Sequence, residues 1–500
     1  MTKYSDNEKG GWEANDSDSK LHAHDGDLKL DPYGIPLKPQ PSRFKDDPLN
    51  WPRWLKWSVL IQVGFMAFLG PFNAAVPNPS LVLLGKAFHR PVEIVTYSTT
   101  TSIILGGVSP FIWTPLTNVY GRRPITLLSQ IFAIVGQIGS ANSKTFSQLL
   151  GTRAINGIGM GGMMSVGTTC LNDMFFMHER GEKSGVYTIF VTNGAHIAVI
   201  IGGFLGQNLG WQWDFWMPAI ITALSFSIAL FAFPETLFSR GPEFLSQRTH
   251  ERTYWEMLFN LRGNLIPQRK LKPRDFFTSF YMLKYPSIAF PFWFYTWCWT
   301  FINILPAISM ANIYTKFYGF KSGAIGLCTG IPLIIGTLIG ECTAGKLSDV
   351  LMTRLAKKHD GVRKPEHRLY LTTAAICFMV AGMIIFGVCI EHRTAFVPPL
   401  VGLAVGVLGL QIASTCLYAY VSDCYRPQTP ESAVLMNLSR GLSFVMGFFN
   451  VVTWEAIGFD WAWTTFALIL LVFWFPILSL MIWGEKWRRR LGEPSFHQYI

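Results

Sequence analysis

Long apolar blocks run through most of this 500-residue chain, and they constrain its fold more than any other feature. Each block is near 20 residues long, which lets an α-helix cross about 30 Å of hydrocarbon. Alternating segments of about ten residues, which would indicate a transmembrane β-barrel, are not seen. Half of the residues are hydrophobic and only 15% are charged, whereas about a quarter are charged in soluble proteins. The pattern predicts an all-α polytopic membrane protein.

Twelve apolar blocks can be placed along the chain, six before and six after a long polar stretch. The predicted spans are residues 57–77, 98–117, 124–141, 148–171, 184–206, 214–233, 287–308, 323–344, 368–389, 397–420, 433–457 and 461–483. They predict two six-helix bundles, at 57–233 and 287–483, joined by a basic cytoplasmic linker at 234–286. The tails, 1–56 and 484–500, are polar, and we expect the first to be disordered.

The positions of the basic residues predict how the chain is oriented in the membrane. About 34 of the 42 Lys and Arg residues fall in the tails and in the loops on the same side as the tails. Because basic loops stay in the cytoplasm, we expect both termini there. The net charge of +11 is spread over alternate loops, so it does not indicate a nucleic-acid partner. The polar first fifty residues do not have the pattern of a cleavable signal peptide.

Motifs for catalysis or cofactor binding are not visible in the sequence. The eight cysteines are scattered and form no CxxC or Cys/His cluster, so neither a zinc site nor a disulfide framework is expected. A Walker loop and a nucleophile triad are also not seen. We therefore expect neither an enzyme nor an ATP-driven pump, and neither a cofactor nor a metal.

Several short motifs resemble those of a known family. Residues 116–124 read Leu-Thr-Asn-Val-Tyr-Gly-Arg-Arg-Pro, and residues 153–159 read Arg-Ala-Ile-Asn-Gly-Ile-Gly. They resemble the signatures Gly-x-Leu-Ala-Asp-Arg-x-Gly-Arg-Arg and Arg-x-x-x-Gly-x-Gly of the major facilitator superfamily. Residues 47–52, 234–238 and 365–369 resemble the fungal branch of that family, which includes drug:proton antiporters and polyamine transporters.

The resemblance implies a transport mode and a gating latch. Members of the family work by alternating access, with a substrate site at the midplane between the two bundles. In them, arginines between spans 2 and 3 pair with carboxylates and with helix C-terminal carbonyls. The residues at comparable positions here are Asn118, Arg122, Arg123, Asp173, Asp349 and Asp423. The alternative is that these charges only set the topology.

Two of the motifs depart from the family pattern. Asn118 stands where the first signature usually has Asp, so one carboxylate of the latch is missing. Ala198 and Val199 replace the Gly-Pro pair of the span 5 antiporter signature. The missing proline weakens the inference that this chain is a proton antiporter.

Charged and titratable residues inside the spans are candidates for the substrate or proton site. Arg153 in span 4 and Arg440 in span 11 should face a cavity or a partner, because a charge at mid-bilayer costs about 3 kcal/mol. His196, one turn after Asn193 in span 5, can exchange a proton near neutral pH. The alternatives are a structural hydrogen bond between helices and, for the arginines, snorkelling to the interface.

Span 7 is dense in aromatic residues from Phe292 to Trp299 and also carries Asn303. Such rings can line a pocket for a planar or apolar substrate. Because every face of this helix is aromatic, some rings must face lipid, and we predict that Tyr295 and Trp297 line the cavity. Further polar candidates, from spans 1, 8 and 10, are Asn73, Glu341 and Gln411.

Together these features predict a monomeric, proton-coupled secondary transporter that exports a small organic compound (drug, toxin or secondary metabolite) across a plasma membrane. Its partners are then the substrate, protons and the lipid bilayer. One alternative is uptake of an organic cation such as a polyamine, which the missing proline favours and the intramembrane arginines disfavour. The other is a non-transporting nutrient receptor of the same fold, which the short tail after residue 484 disfavours.

Overall fold

A computed structural model gives the fold of the chain. It describes residues 29, 37, 39–240, 245, 250–259, 271–358, 364–425, 428–492 and 494. Over these residues the backbone forms helices joined by turns and short extended connections, and no β-strand occurs among them. The predicted all-α class is confirmed.

Within the described residues, twelve helical stretches cross the molecule, in agreement with the twelve predicted spans. Those of the N-terminal bundle are Arg53–Ala75 (span 1), Val92–Val108 with Pro110–Tyr120 (span 2), Arg122–Ala141 (span 3), Phe146–Met174 (span 4), Met177–Asn208 (span 5) and Trp213–Ala232 (span 6). Those of the C-terminal bundle are Pro286–Trp299, the π-helical Thr300–Ile304 and Leu305–Tyr318 (span 7), Ser322–Lys358 (span 8), Leu371–Glu391 (span 9), Val397–Cys424 (span 10), Thr429–Gly441, Leu442–Val445 and Met446–Ile457 (span 11), and Phe459–Leu491 (span 12).

Shorter helices lie before and between the spans. They are Pro48–Asn50, Asn78–Ser80, Leu81–Phe88, Tyr254–Phe259, Pro273–Phe276, Thr278–Tyr281, Met282–Lys284 and Pro365–Arg368. Several spans also exceed their predicted limits, most clearly span 8, which continues to Lys358. Hydropathy predicts only the part of a helix that lies in hydrocarbon, so it does not detect polar extensions of this kind.

Three spans are more polar or more broken than the rest. Within the described residues, nine helices have the length and hydropathy of a membrane span, and spans 2, 4 and 11 are not among them. Spans 2 and 11 are divided into shorter helices, while span 4 carries Arg153 and a run of glycines. Polar residues in a membrane helix are tolerated where they face protein or a cavity. All three spans contribute residues to the wall of the cavity described below.

Burial differs between spans in a way that repeats in the two halves. In the apolar windows of spans 1 and 7, 72% and 78% of residues are buried. In those of spans 6 and 12, only 33% are buried. The first span of each bundle is thus central and the sixth is peripheral, where its apolar side chains face lipid. The two halves therefore follow the same plan, which is typical of transporters built from repeats.

The segment before span 1 is folded against the bundle rather than free. Asp47 is fully buried, accepts hydrogen bonds from the backbone N–H groups of Ser42 and Leu49, and pairs with Arg240 at 2.7 Å. Burial raises the pKa of Asp47, but the hydrogen bond and charge of Arg240 outweigh it and leave that pKa below its usual value. The expected disorder of residues 1–56 is therefore corrected for residues 42–52, whereas most of the remaining tail lies outside the described residues.

The two faces of the membrane region can be told apart by the chain ends. We call the face at which span 1 begins and span 12 ends the tail face, and the opposite one the far face. The bundles meet along two seams, span 5 against span 8 and span 2 against span 11. A cavity lies between these seams.

Candidate functional site

The cavity between the bundles is lined by spans 1, 2, 4 and 5 on one side and by spans 7, 8 and 11 on the other. Its polar lining residues are Asn78, Thr99, His196, Asn303, Asn437 and Arg440. Apolar side chains such as Met160, Met164 and Leu333 supply most of the remaining wall. The free volume is about 70 Å³, room for about two water molecules. Ligand pockets usually measure about 300–1,000 Å³, so a substrate requires the bundles to move apart.

His196 links the two bundles across this cavity. It is 1% exposed, and its Nε2 lies 3.2 Å from the Nδ2 of Asn303 in span 7. Its Nδ1 lies 3.4 Å from the Oγ1 of Thr337 in span 8. With the Asn303 amide as the donor, Nε2 is the acceptor and the ring proton sits on Nδ1. This neutral form of His196 suits both contacts, and protonation of Nε2 removes the acceptor.

Arg440 enters the same cavity from span 11 inside a group of aromatic rings. Its Nε donates a hydrogen bond of 2.8 Å to the hydroxyl of Tyr295. The guanidinium carbon lies 4.5 Å from the ring centroid of Trp299, 5.7 Å from that of Tyr295 and 5.8 Å from that of Tyr418. Cation–π contacts of this kind hold the charge in place. None of the ion pairs formed by the described residues includes Arg440.

The aromatic residues of span 7 are not arranged as predicted. Trp297 stacks on Phe301 and Phe473, with centroids 5.3 and 5.1 Å apart, and does not line the cavity. Trp299, two residues further along, lines it instead. Tyr295 is fully buried and acts on the cavity through its bond to Arg440. The prediction for Trp297 is therefore corrected to Trp299, because two residues rotate a side chain by about 200° around an α-helix.

Arg153 is a structural residue rather than a cavity residue in this conformation. Its guanidinium donates to the backbone carbonyls of Asn73 and Ala74 at 2.9 Å and of Ser98 at 3.2 Å. The side chain is fully buried within the N-terminal bundle and ties span 4 to spans 1 and 2. Asn73 belongs to the same network, because its amide donates to Thr222 in span 6. The prediction that Arg153 and Asn73 line the substrate site is corrected accordingly.

Three other predicted site residues are not among the described residues that line the cavity. The amide of Asn193 donates to the carbonyl of Ile189 one turn earlier in its own helix. Glu341 accepts hydrogen bonds from the side chains of Gln411 and Thr415 in span 10. The carboxylate of Glu341 is thus held within the C-terminal bundle. A role of Asn193, Glu341 or Gln411 in transport stays a prediction.

The predicted latch residues of the N-terminal half form one cluster at the tail face. Arg122 donates to Asp173 at 3.1 Å and also to the side-chain oxygen of Asn118. Asn118 therefore binds the arginine as a neutral acceptor in place of the usual carboxylate. The cluster joins spans 2, 3 and 4 at the point where they leave the membrane.

Arg123 and Glu235 connect this cluster to span 6. The guanidinium of Arg123 donates to three carbonyls at the end of that helix, those of Ala229, Leu230 and Phe233. The Glu235 carboxylate accepts the backbone N–H groups of Arg122 and Arg123, which open span 3. A carboxylate at a helix N-terminus complements the helix dipole. Burial nevertheless raises the pKa of Glu235.

The C-terminal half repeats this arrangement with a different arginine. Asp423, at the end of span 10, accepts from the Nε of Arg368 at 2.8 Å, and Arg368 also donates to Ser348 in span 8. The side chain of the predicted latch residue Asp349 lies outside the described residues. Neither Glu235 nor Arg368 is among the site residues predicted from the sequence. The family-like segments 234–238 and 365–369, which contain them, were the available signal.

The far halves of the bundles are in contact. A Cβ placed on Gly203 of span 5 would lie 2.4 Å from the carbonyl oxygen of Ser322, at the start of span 8. The side-chain oxygen of Gln207 accepts the backbone N–H of Gly323 at 3.0 Å. Along the other seam, the ring of Tyr97 packs against that of Phe448 in a tilted arrangement, with centroids 4.9 Å apart. Only glycine at position 203 permits this approach, so the far side of the cavity is closed.

The tail halves of the same two helices are apart. Three turns of helix span eleven residues, so Gly185 lies on the same face of span 5 as His196. A Cβ on Gly185 would have no neighbour within 4 Å, and the same holds for Gly345 in span 8. Ile189, on this face, is 42% exposed. Spans 5 and 8 are therefore separated on the tail side of the cavity, whereas they touch on its far side.

Known proteins are similar to this chain in sequence and in fold. Residues 63–448 match the Major Facilitator Superfamily. The chain is 25% identical over 495 residues to an uncharacterised transporter of Schizosaccharomyces pombe, covering 95% of this chain and 96% of that one. It is 24% identical over 498 residues to the efflux pump vrtL of Penicillium aethiopicum, covering 94% and 95% of the two chains.

A solved structure supports the same fold. The xylose transporter XylE from E. coli, in a partially occluded inward open conformation, superposes with a TM-score of 0.62 at 14% identity, covering 84% of this chain and 97% of that one. The family match extends over well more than half of the chain and covers helices of both bundles. The fold, the paired ion-pair clusters at the tail face and the central cavity agree with that match. The chain therefore belongs to the Major Facilitator Superfamily, a family of transporters rather than enzymes.

Proposed function

We propose that this transporter exports small organic compounds across the plasma membrane by alternating access, driven by proton entry. The observation that carries the proposal is the cavity between the bundles, which is closed at the far face and lies next to separated helices at the tail face. In this state a substrate enters from the tail face. The relation to an efflux pump supports export as the direction.

The tail face is the cytoplasmic face in this proposal. The basic residues support this orientation, because they concentrate in the tails and in the loops of that face. Arg122, Arg123 and Arg368 all lie there, at helix ends next to the membrane. A substrate that enters from the cytoplasm is released at the far face when the contact between spans 5 and 8 opens.

His196 is the group that we assign to proton coupling. Among the described lining residues, His196 and Arg440 are the two titratable ones, and histidine alone changes charge near neutral pH. Protonation turns Nε2 into a donor facing the amide of Asn303, which breaks a bond between the bundles. A proton that arrives from the far face therefore favours separation of span 5 from span 7. This links the protonation state to the opening of the far face.

Uptake of polyamines is less well supported. A multiply charged cation requires carboxylates at its site, whereas the described lining residues contain neither Asp nor Glu. Glu341, the predicted carboxylate of span 8, is engaged by Gln411 and Thr415. The fixed charge that the described lining residues do carry is the positive charge of Arg440.

A cellular accumulation assay tests the proposal. The chain is expressed in a yeast strain that lacks its own efflux pumps, and a panel of neutral, acidic and basic labelled compounds is applied. We expect reduced accumulation of at least one compound, and restoration of its accumulation by a protonophore. Raised accumulation of polyamines with unchanged levels of every other compound would contradict the proposal.

His196→Gln tests the coupling residue in the same assay. Glutamine retains a polar side chain that can bond to Asn303, but it cannot take up a proton. The native chain should export more strongly as the external pH falls from 8 to 5, and the variant should show a flat dependence with export reduced by about tenfold at pH 5. His392→Gln, at the far-face end of span 9, is the matched control. If His196→Gln leaves the pH dependence of export unchanged, this histidine does not couple protons to transport and its role is structural.

A further inference from the structure

The charges that line the cavity indicate the chemical class of the substrate. Arg440 is the one fixed charge among the described lining residues. Of its three nitrogens, only Nε has a hydrogen-bond acceptor within the described part of the chain, the hydroxyl of Tyr295. The two terminal nitrogens are left free to donate into the cavity. A cation inside the membrane region is costly, so a counter-charge is expected to accompany it during the cycle.

The aromatic rings near Arg440 exclude the opposite assignment. Tyr295, Trp299 and Tyr418 could in principle form a cage for an organic cation. Their faces are already turned to the guanidinium of Arg440, at 4.5–5.8 Å from the ring centroids. A cationic substrate would therefore meet both occupied rings and a like charge. The rings instead fix the orientation of Arg440 and leave its terminal nitrogens available for two parallel hydrogen bonds.

The rest of the wall suits an apolar body attached to the acidic group. Met160, Met164, Ile103 and Leu333 offer apolar surface, and Trp299 offers one large ring. Asn303 and Asn437 can bind neutral polar groups. The guanidinium fork matches the geometry of a carboxylate, which it binds in a bidentate manner.

We propose that the substrate is an organic anion, an apolar or aromatic compound whose carboxylate or equivalent acidic oxygen pair binds the terminal nitrogens of Arg440. This inference rests on the proposed function, because it names the substrate class of the same cavity. Binding neutralises the charge in the wall, so the loaded cavity can close around the substrate at a lower electrostatic cost than the empty one. Arg440 is thus a specificity-determining residue.

A set of three isosteric probes tests the inference on the purified full-length protein. The probes are 2-naphthoate, its neutral amide 2-naphthamide and the cation 2-naphthylmethylammonium, with binding measured by microscale thermophoresis at pH 7.5. We expect naphthoate to bind at least tenfold more tightly than either analogue. Tighter binding of the ammonium probe than of naphthoate overturns the inference.

Variants at position 440 separate a charge effect from a folding defect. Arg440→Gln should weaken naphthoate binding at least tenfold and leave amide binding unchanged, while Arg440→Lys should restore part of the loss. The intact amide binding shows that the glutamine variant is folded. Trp297→Phe, which stacks on Phe301 and Phe473 away from the cavity, is the matched control and should bind all three probes as the native chain does. Equal naphthoate affinity for the native and Arg440→Gln proteins overturns the inference.

The cellular assay distinguishes failure of this inference from failure of the export proposal. If the chain lowers accumulation of neutral compounds in a protonophore-sensitive manner but binds naphthoate no better than the amide, export stands and the anion inference fails. If naphthoate binding depends on Arg440 but no compound is exported, the anion inference stands and the export proposal fails.

Discussion

Gly203→Leu is expected to reduce export by more than tenfold while the protein still folds. The reason is the contact between span 5 and span 8, where a Cβ at position 203 would lie 2.4 Å from the Ser322 carbonyl oxygen and 3.1 Å from the Cα of Gly326. A leucine cannot fit between two backbones at this distance, so the far halves of the bundles are held apart. The interior of each bundle is not touched, because Gly203 faces the partner bundle. The measurement is export of the panel compound found in the accumulation assay.

The control is a glycine with free space around it. A Cβ added to Gly151 in span 4 would have no neighbouring atom within 4 Å, so Gly151→Leu should leave export within about twofold of the native rate. Gly202→Leu is the contrasting case, since its Cβ would collide with the Val76 carbonyl inside the N-terminal bundle and should destabilise that bundle. Normal export by Gly203→Leu would contradict the role assigned to the contact between spans 5 and 8.

Arg153→Met is expected to destabilise the protein strongly. Methionine fills part of the volume but donates no hydrogen bond, so the carbonyls of Asn73, Ala74 and Ser98 lose their buried donor. Each lost bond to a charged donor costs about 1.5–3 kcal/mol, and we expect a loss of about 3 kcal/mol or more in the free energy of unfolding. The midpoint of thermal unfolding, measured by size-exclusion chromatography after heating, should fall by several degrees, and export should fall in proportion to the folded protein.

The control for this variant is an arginine at the surface. Arg489 is 67% exposed in its pair with Glu485 one turn earlier in span 12, so Arg489→Met should change the unfolding free energy by no more than about 1 kcal/mol. A folded Arg153→Met protein with native thermal stability but no export would contradict the structural assignment. It would restore the prediction that Arg153 contacts the substrate.

The helices and their grouping were predictable because each depends on the local sequence. Inside the membrane, the backbone N–H and C=O groups of a block of about 20 apolar residues must bond to each other, so the block forms a helix whatever surrounds it. The three polar spans were also predicted, although hydropathy alone misses them.

The partners of individual side chains were less predictable, because they depend on how each helix is rotated. Arg153 and Arg440 are both arginines inside a span, yet one donates to carbonyls of its own bundle and the other faces the cavity. The residues around Arg153 carry no sign of its acceptors, since these are backbone atoms of spans 1 and 2. Trp297 and Trp299 illustrate the same limit within a single helix, where a shift of two residues decides which ring reaches the cavity.

Two contacts that were not predicted join residues far apart in the sequence. Arg368 binds Asp423 across 55 positions and Glu235 caps a helix that begins 113 positions earlier. Asp423 was predicted from its likeness to Asp173, but its arginine was not, because Arg368 stands three residues before span 9 begins, whereas Arg122 is the first residue of span 3. The second cluster therefore uses the corresponding connection, between spans 8 and 9, with an arginine at a different position in it.

The central claim is that the cavity opens alternately to the two faces, and distances measured by double electron–electron resonance test it most directly. Spin labels replace Asn208 and Lys321 at the far face in one protein, and Ile189 and Gly345 at the tail face in another, both in a background without reactive cysteines. In liposomes, the native state should give a short far-face distance and a long tail-face distance. Gly203→Leu should lengthen the first and shorten the second. Distances that do not change, or that change in the same direction at both faces, would contradict alternating access.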